Sequence, residues 1–228
     1  MSWVNGPAAS GVRRVVLLGL AAGYIECVGF TQLAGIFPGI MTGNTVQFGM
    51  AMAQNHWARA LVVGLALLFF FVGALLASVL RQNLKRPAFG LVVMAGLLLG
   101  ATVVRSVWGV DTHAELALLA FAMALQGQTV SKFGGVSVQT VVATNNLLKF
   151  ADGLVGRYLR RLRPTGAPGP ARPSFTDVVL PGSAWFGYVI GAAFGAFAVA
   201  GMMFPLVVPM LLLVGVAVDL LRWPDAGA

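Results

Sequence analysis

Two short polar clusters interrupt an otherwise apolar sequence, and their residue types suit the binding of a polar solute. The first cluster is the run MTGNT at residues 41–45, and the second is the run ATNNL at residues 143–147. Hydroxyl and amide groups are costly in apolar surroundings unless they find hydrogen-bond partners. Their use in two similar runs indicates either a binding role or the satisfaction of broken backbone. The candidate binding residues of the clusters are Thr42, Gly43, Asn44, Thr144, Asn145 and Asn146.

Glu26 is a further candidate because it places a carboxyl inside an apolar stretch. It is one of seven acidic residues and lies eleven positions beyond Val15, which is about 16 Å along a helix and close to the middle of a bilayer. A carboxyl at that depth costs about 2.5–3.5 kcal/mol on insertion scales and usually faces the interior of a helix bundle. Two roles stay open. Glu26 exchanges protons or contacts a solute, or it forms a structural hydrogen bond with Gln128.

Gln126 and Gln128 complete the set of candidate binding residues. They lie two positions apart on one predicted helix and cannot share a narrow face, so we expect one to line a cavity and the other to bond between helices. Residues for other chemistry are few. The single cysteine, Cys27, excludes a multi-cysteine metal site, and His56 and His113 stand in no metal-binding or catalytic spacing. We predict no cofactor and no enzymatic activity.

The composition places the chain in a membrane. Of its 228 residues, 58% are hydrophobic and only 10% are charged, and the mean hydropathy is +0.87. A chain this apolar cannot bury its surface in one water-facing globule, so lipid must be part of its solvent. The net charge of +8 comes mostly from short loops, where Lys and Arg set orientation, and it does not indicate nucleic-acid binding.

Six apolar segments are long enough to cross about 30 Å of hydrocarbon as helices. Two further segments, roughly 39–54 and 136–156, are more polar, and each contains one cluster. If both enter the membrane and return on the same side, most loop arginines share one face, which predicts cytoplasmic N and C termini. Eight full crossings would instead move the basic residues around Arg81 and Arg86 outside. The six predicted spans are roughly 15–36, 58–81, 87–107, 115–133, 177–199 and 202–222.

The sequence contains an internal repeat. A shift of 102 residues places Glu26 on Gln128 and Asn44 on Asn146. Each half contains three spans, an odd number, so the second half must run in the opposite direction through the membrane. The sequence therefore predicts an all-α polytopic fold, with six transmembrane helices and two re-entrant broken helices in a 3+3 inverted repeat. Its parts are a single membrane domain at 1–228, repeat 1 at about 13–108, repeat 2 at about 115–223, and a basic Pro/Gly-rich cytoplasmic linker at 160–175.

Each polar cluster is predicted to begin a short helix inside the membrane. Thr42 is a suitable N-cap for a helix that ends near Gln54, and Thr144 would cap the counterpart in the second repeat. A helix that begins at this depth directs unsatisfied N–H groups and a positive dipole end toward the midplane. Two such N-termini suit a polar or anionic solute.

These features favour a small-solute transporter with a midplane site, in which Glu26 offers a group for proton coupling. A channel of similar architecture is the alternative, followed by a partner-binding membrane protein and, least favoured, a membrane-embedded enzyme. The expected partners are the lipid bilayer, a small polar or anionic solute and protons. Small residues at four-residue spacing, as at Gly73 and Gly191, suit helix packing and leave a homo-oligomer open.

The sequence also resembles a known family. Two runs between residues 22 and 45, AGYIECVGF and FPGIMTGNT, and two between 124 and 149, ALQGQ and TNNLLK, resemble blocks of the YoaK-like family of small bacterial membrane proteins. This sequence has Glu26, Asn145 and Leu148 where that family commonly has Asp, Gly and a hydroxyl residue. The family is catalogued as a domain of unknown function. The resemblance implies a multi-pass protein of the bacterial inner membrane and names no substrate.

Overall fold

Helices form nearly all of the regular structure in the computed structural model of the protein. The structure describes residues 7–83, 87–108, 112–129, 132–133, 136–159 and 172–223. Most of the predicted linker, residues 160–171, therefore lies outside the described residues, as do the chain termini. The helices are α1 (Pro7–Gln32), α2 (Met41–Ala53), α3 (Trp57–Asn83), α4 (Pro87–Trp108), α5 (Thr112–Thr129), α6 (Ala143–Tyr158), α7 (Phe175–Gly201) and α8 (Val207–Arg222).

Every apolar segment predicted from the sequence contains a helix, and each polar segment contains one of the two short helices, α2 and α6. Two boundaries differ from the prediction. The helix predicted at 115–133 ends at Thr129, and two short strands, β1 (Lys132–Phe133) and β2 (Val136–Ser137), follow as an antiparallel pair. The helix predicted from 202 begins at Val207, because Pro205 and a turn intervene.

Four helices are long and apolar enough to cross a membrane by length and composition: α1, α3, α4 and α7. Their outer surfaces carry large apolar side chains, and Phe71 on α3 and Phe197 on α7 are 60% and 77% exposed. Side chains of this size would be unfavourable in water, whereas lipid is a suitable solvent for them. Helices α5 and α8 have 18 and 16 residues and do not meet the same criterion. The protein is a polytopic helical membrane protein.

The helices pack in two groups. In the first group, α1 and α6 both pack on α7. In the second group, α5 and α2 both pack on α3. Helix α4 packs on α5 and α8, and α8 in turn packs on α1. Direct contact between α1 and α5 is sparse. Glu26 of α1 and Gln126 of α5 lie where these two helices and the segments that precede α2 and α6 meet.

The interface between α1 and α7 is built on glycine. A Cβ atom added at Gly23 would overlap the carbonyl oxygen of Tyr188, and one at Gly191 would overlap that of Leu20. The two backbones therefore touch directly, as small residues allow in membrane helices, and the packing role predicted for Gly191 is confirmed. Gly73 of α3 instead faces the side chain of Phe121, at 2.7 Å from its would-be Cβ.

Candidate functional site

The first broken segment is held together by Asn44. Its side-chain amide donates to the carbonyl of Phe37 at 2.7 Å, and its oxygen accepts from the backbone N–H of Phe37 at 3.0 Å. Asn44 is fully buried. An asparagine that satisfies both backbone groups of one residue closes the turn that leads into α2, because these groups have no partner in regular structure.

The predicted N-cap residues are wrong in both short helices. Ile40 occupies the cap position of α2 and Val142 that of α6, and neither cap has a side-chain hydrogen bond. Both caps lie two residues earlier than predicted, so the helices begin at Met41 and Ala143. Thr42 and Thr144 consequently lie within the first turn and are exposed. A capping residue requires a non-helical, usually extended backbone, and residues within the first helical turn do not have it.

The second broken segment repeats the geometry of the first with one group missing. The side-chain amide of Asn146 donates to the carbonyl of Gln139 at 2.7 Å, seven residues back, as Asn44 does to Phe37. Asn146 is also fully buried, but its oxygen has no partner. The second turn therefore keeps an unsatisfied acceptor that the first turn has satisfied.

Glu26 belongs to α1, and its carboxyl lies beside the residues that precede α2. Its side chain is 2% exposed and faces the backbone N–H groups of Gly39 and Ile40, although neither carboxyl oxygen makes a hydrogen bond of ordinary geometry. A Cβ atom added at Gly39 would overlap the carboxyl of Glu26. It would also lie only 3.0 Å from the Cβ atom of Met123 on α5. A larger residue at position 39 would therefore displace the carboxyl from the start of the broken helix. Glu26 makes no hydrogen bond to Gln128 in the described structure, so the structural alternative raised for Glu26 has no support there.

Gln126 is the glutamine that bonds between helices. Its side-chain amide donates to the carbonyl of Leu18 on α1 at 2.8 Å and to the hydroxyl of Thr140 at 3.0 Å. Its own oxygen is buried without a partner. Gln128 is partly exposed, and so are Gly43 and Asn145. The structure therefore brings together two groups on α1, one around Glu26 and one around Leu18, rather than all nine candidates.

Two groups of ion pairs lie toward the helix ends and were not predicted from the sequence. Arg14 is 1% exposed, and its Nε donates to Asp219 of α8 at 2.6 Å, while Arg13 pairs with the other oxygen of the same carboxylate. Glu115 of α5 is fully buried and accepts from Arg105 of α4 at 3.1 Å. The first group joins α1 to α8, which are distant in the chain. The second joins α4 to α5, which are separated by a loop. Spacing along the sequence carries no signal for them.

The geometry defines a helical membrane protein with two broken segments and a buried carboxyl between its packed helices. The chain belongs to the family described as "Protein of unknown function (DUF1275)", whose model matches residues 15–218. It is 25% identical over 211 residues to the UPF0700 transmembrane protein YoaK of Bacillus subtilis (strain 168), which covers 88% of this chain and 89% of the relative. No solved structure matches the chain. The resemblance inferred from the sequence is confirmed.

Proposed function

We propose that this protein transports a small polar solute, with Glu26 as the group that couples transport to protons. The observation that carries the proposal is a fully enclosed carboxyl without a hydrogen-bond partner, placed between α1, α5 and the start of a broken helix. An ionisable residue inside a membrane bundle is costly and is kept where it contacts a solute or relays protons. No catalytic or cofactor role is proposed for it.

An inverted repeat of three crossings in each half is part of the proposal. Support comes from the hydrogen bonds of Asn44 and Asn146, whose donors and acceptors are all related by a shift of 102 residues. The helix packing follows the same relation. Helix α1 packs on α7 and α8, and its counterpart α5 packs on α3 and α4. With α5 and α8 as the remaining crossings, the two halves would enter the bilayer from opposite sides, as in many transporters.

The proposed orientation places both termini in the cytoplasm of the bacterial cell. Its support is the distribution of basic residues. This topology leaves Arg59 and Arg105 on the outer face, and both have local partners. Arg59 donates to the carbonyls of Ala34 and Gly35 at 2.7 and 3.3 Å, and Arg105 pairs with Glu115. Cysteines introduced at positions 84 and 166, in a chain lacking Cys27, should be shielded from impermeant reagents in intact cells. A cysteine at position 111 should be labelled, and the reverse pattern would overturn the orientation.

The proposed mechanism uses the sparse contact between α1 and α5. Each of these helices is packed tightly into a different group, and the two groups are also joined where α4 packs on α8. A relative movement would therefore break few contacts between α1 and α5 but would have to repack α4 against α8. Glu26 lies on α1, while Gly39 and Met123 belong to the other side. A change in the proton or solute bound at Glu26 would alter contacts across this boundary and thereby bias the movement.

A flux experiment tests the proposal. The protein is reconstituted in liposomes, and uptake of labelled small amines, amino acids and carboxylates is measured with and without an imposed pH gradient. Glu26→Gln imitates the protonated carboxyl permanently, so it should abolish acceleration by the gradient while solute exchange persists. Asp152→Asn, which removes an exposed carboxyl from α6, is the matched control and should behave as the unmodified protein. Equal acceleration in the Gln variant would exclude the coupling role.

A further inference from the structure

Oxygen atoms predominate among the buried side-chain atoms that lack a hydrogen-bond partner. In the described ranges these atoms are both carboxyl oxygens of Glu26, Oε1 of Gln126, Oδ1 of Asn146 and Nε of Arg157. The Arg157 guanidinium lies near the end of α6, 5.9 Å from the ring of Phe175, whereas the other three side chains are at most 2% exposed. Each unpaired oxygen can accept a hydrogen bond. The interior therefore has acceptors in excess and needs donors.

The orientation of the two amides is fixed by their partners. The Gln126 nitrogen donates to the carbonyl of Leu18, and the Asn146 nitrogen donates to the carbonyl of Gln139. A carbonyl can only accept, so exchanging nitrogen and oxygen in either amide would set two acceptors against each other. The unpaired atoms are consequently oxygens in both side chains, as they are in Glu26.

The charge around Glu26 disfavours an anion. In the part of the chain that the structure describes, no ion pair includes this carboxyl. The titratable groups near it are Tyr188 of α7, on which the charge of Glu26 acts, and Cys27, its neighbour in the chain. Neither group carries positive charge. The positive end of α2, where Gly39 and Ile40 lie, already faces the carboxyl. An anionic solute would meet a like charge there, whereas a cation would find an unpaired counter-charge.

We propose that Glu26 binds the ammonium group of a small organic amine, and that the solute is therefore cationic rather than anionic. The inference rests on the proposed transport function and narrows its solute class. An ammonium group supplies three donors and a positive charge, which complement a carboxyl with no partner. Gln126 reaches α1 at Leu18, eight residues from Glu26 or about 12 Å along the helix. The side chains of Gln126 and Asn146, which carry the other two unpaired oxygens, bond to the adjacent residues Thr140 and Gln139.

A comparison of matched cations and anions tests the site in the full chain. Thermal unfolding of the purified protein is measured in propylammonium chloride, sodium butyrate and sodium chloride at equal ionic strength. Propylammonium should raise the Tm by about 3–5 °C at ten times its Kd, because a ligand of the folded state stabilises a chain of this size by that amount. Glu26→Gln should remove the rise. Glu26→Asp and Asp152→Asn, which keep a carboxyl at the site, should retain it.

Several outcomes would overturn the inference: stabilisation by butyrate, an equal effect of sodium alone, an undiminished rise in Glu26→Gln, or no response of the unmodified protein to any small amine. If the Gln variant does not fold, the inference is tested by the binding of labelled methylammonium to the unmodified protein. Propylammonium should displace the label and butyrate should not. Flux keeps the two proposals separate. Amine binding without flux in liposomes contradicts transport alone, and flux of another solute without amine binding contradicts the amine site alone.

Discussion

Glu26 and Glu115 are both buried carboxyls, but their surroundings are opposite. Glu115 has an arginine partner, since Arg105 donates to both of its oxygens at 3.1 and 3.2 Å. The amide of Gln32, in the orientation that satisfies both neighbours, joins the same pair at 3.1 and 3.3 Å. Glu26 has no hydrogen-bond partner for either oxygen. Removal of the first carboxyl would leave a charge unpaired between two helices, whereas the second carboxyl has no such partner and is maintained at a cost in stability.

The contrast separates residues that hold the helices from residues that are available to a ligand. Glu115 joins α5 to α4, and Asp219 joins α8 to α1 through Arg13 and Arg14. Glu26 makes no ion pair and no hydrogen bond of ordinary geometry to another helix in the described structure. Proteins keep destabilising groups of this kind where function requires them. Stability measurements can therefore test the functional assignment even before a solute is identified.

The largest effect is expected from Glu115→Ala. Removing the carboxyl leaves the guanidinium of Arg105, which is 25% exposed, without its counter-charge between two helices. Loss of one member of a buried ion pair costs about 3–5 kcal/mol, and partial exposure should reduce this to about 2–4 kcal/mol. The Tm of the variant in detergent should fall by about 5–10 °C.

A double variant provides the control for Glu115→Ala. Arg105→Met combined with Glu115→Leu replaces the pair by apolar side chains and leaves no unpaired charge, so most of the lost stability should return. If the double variant is less stable than Glu115→Ala, the destabilisation arises from packing rather than from an unpaired charge. The two glutamates would then no longer differ in whether a charged partner stabilises them.

A smaller effect distinguishes the two equivalent asparagines. Asn44→Ala leaves two backbone groups of Phe37 without their side-chain partner, whereas Asn146→Ala leaves only the carbonyl of Gln139. At about 1 kcal/mol for each lost hydrogen bond, the first variant should lose about 2 kcal/mol and the second about 1 kcal/mol. Chemical denaturation of both proteins under one set of conditions measures the difference. Equal losses would mean that the oxygen of Asn146 has a partner in solution.

The smallest effect, and the only one of opposite sign, is expected from Glu26→Gln. The substitution keeps the shape of the side chain and replaces an unpartnered carboxyl by a less costly neutral amide. Without added solute, the unfolding free energy should stay unchanged or rise by about 1 kcal/mol. A fall of more than about 2 kcal/mol, as expected for Glu115→Ala, would identify Glu26 as a structural residue and remove the contrast.

Hydropathy and charge were sufficient to predict where the helices lie, because lipid solvation imposes a strong and local pattern on the sequence. The burial of Glu26 was predictable for the same reason. Its surroundings were not, since they depend on how α5 is rotated. Gln126 and Gln128 lie about 200° apart around that helix, and packing turned Gln126 toward α1 and left Gln128 partly exposed.

The caps and the ion pairs escaped prediction because they depend on tertiary structure. The start of α2 is fixed by the turn that Asn44 closes with Phe37, and not by the hydroxyl nearest to the helix. Arg14 and Asp219 are 205 residues apart, so only the assembled bundle brings them together. Local sequence rules cannot report on contacts of this range.

The glycine contact between α1 and α7 has a consequence for biosynthesis. At about 5–20 residues per second, the ribosome needs roughly 7–30 s to proceed from the end of α1 at Gln32 to the start of α7 at Phe175. During that interval α1 has entered the bilayer without the helix that later touches its backbone at Gly23. Glu26 of α1 is therefore surrounded by lipid or by the helices synthesised early until α7 is inserted. Chaperones or insertase components that shield polar residues should accordingly be needed most by the first helix to emerge.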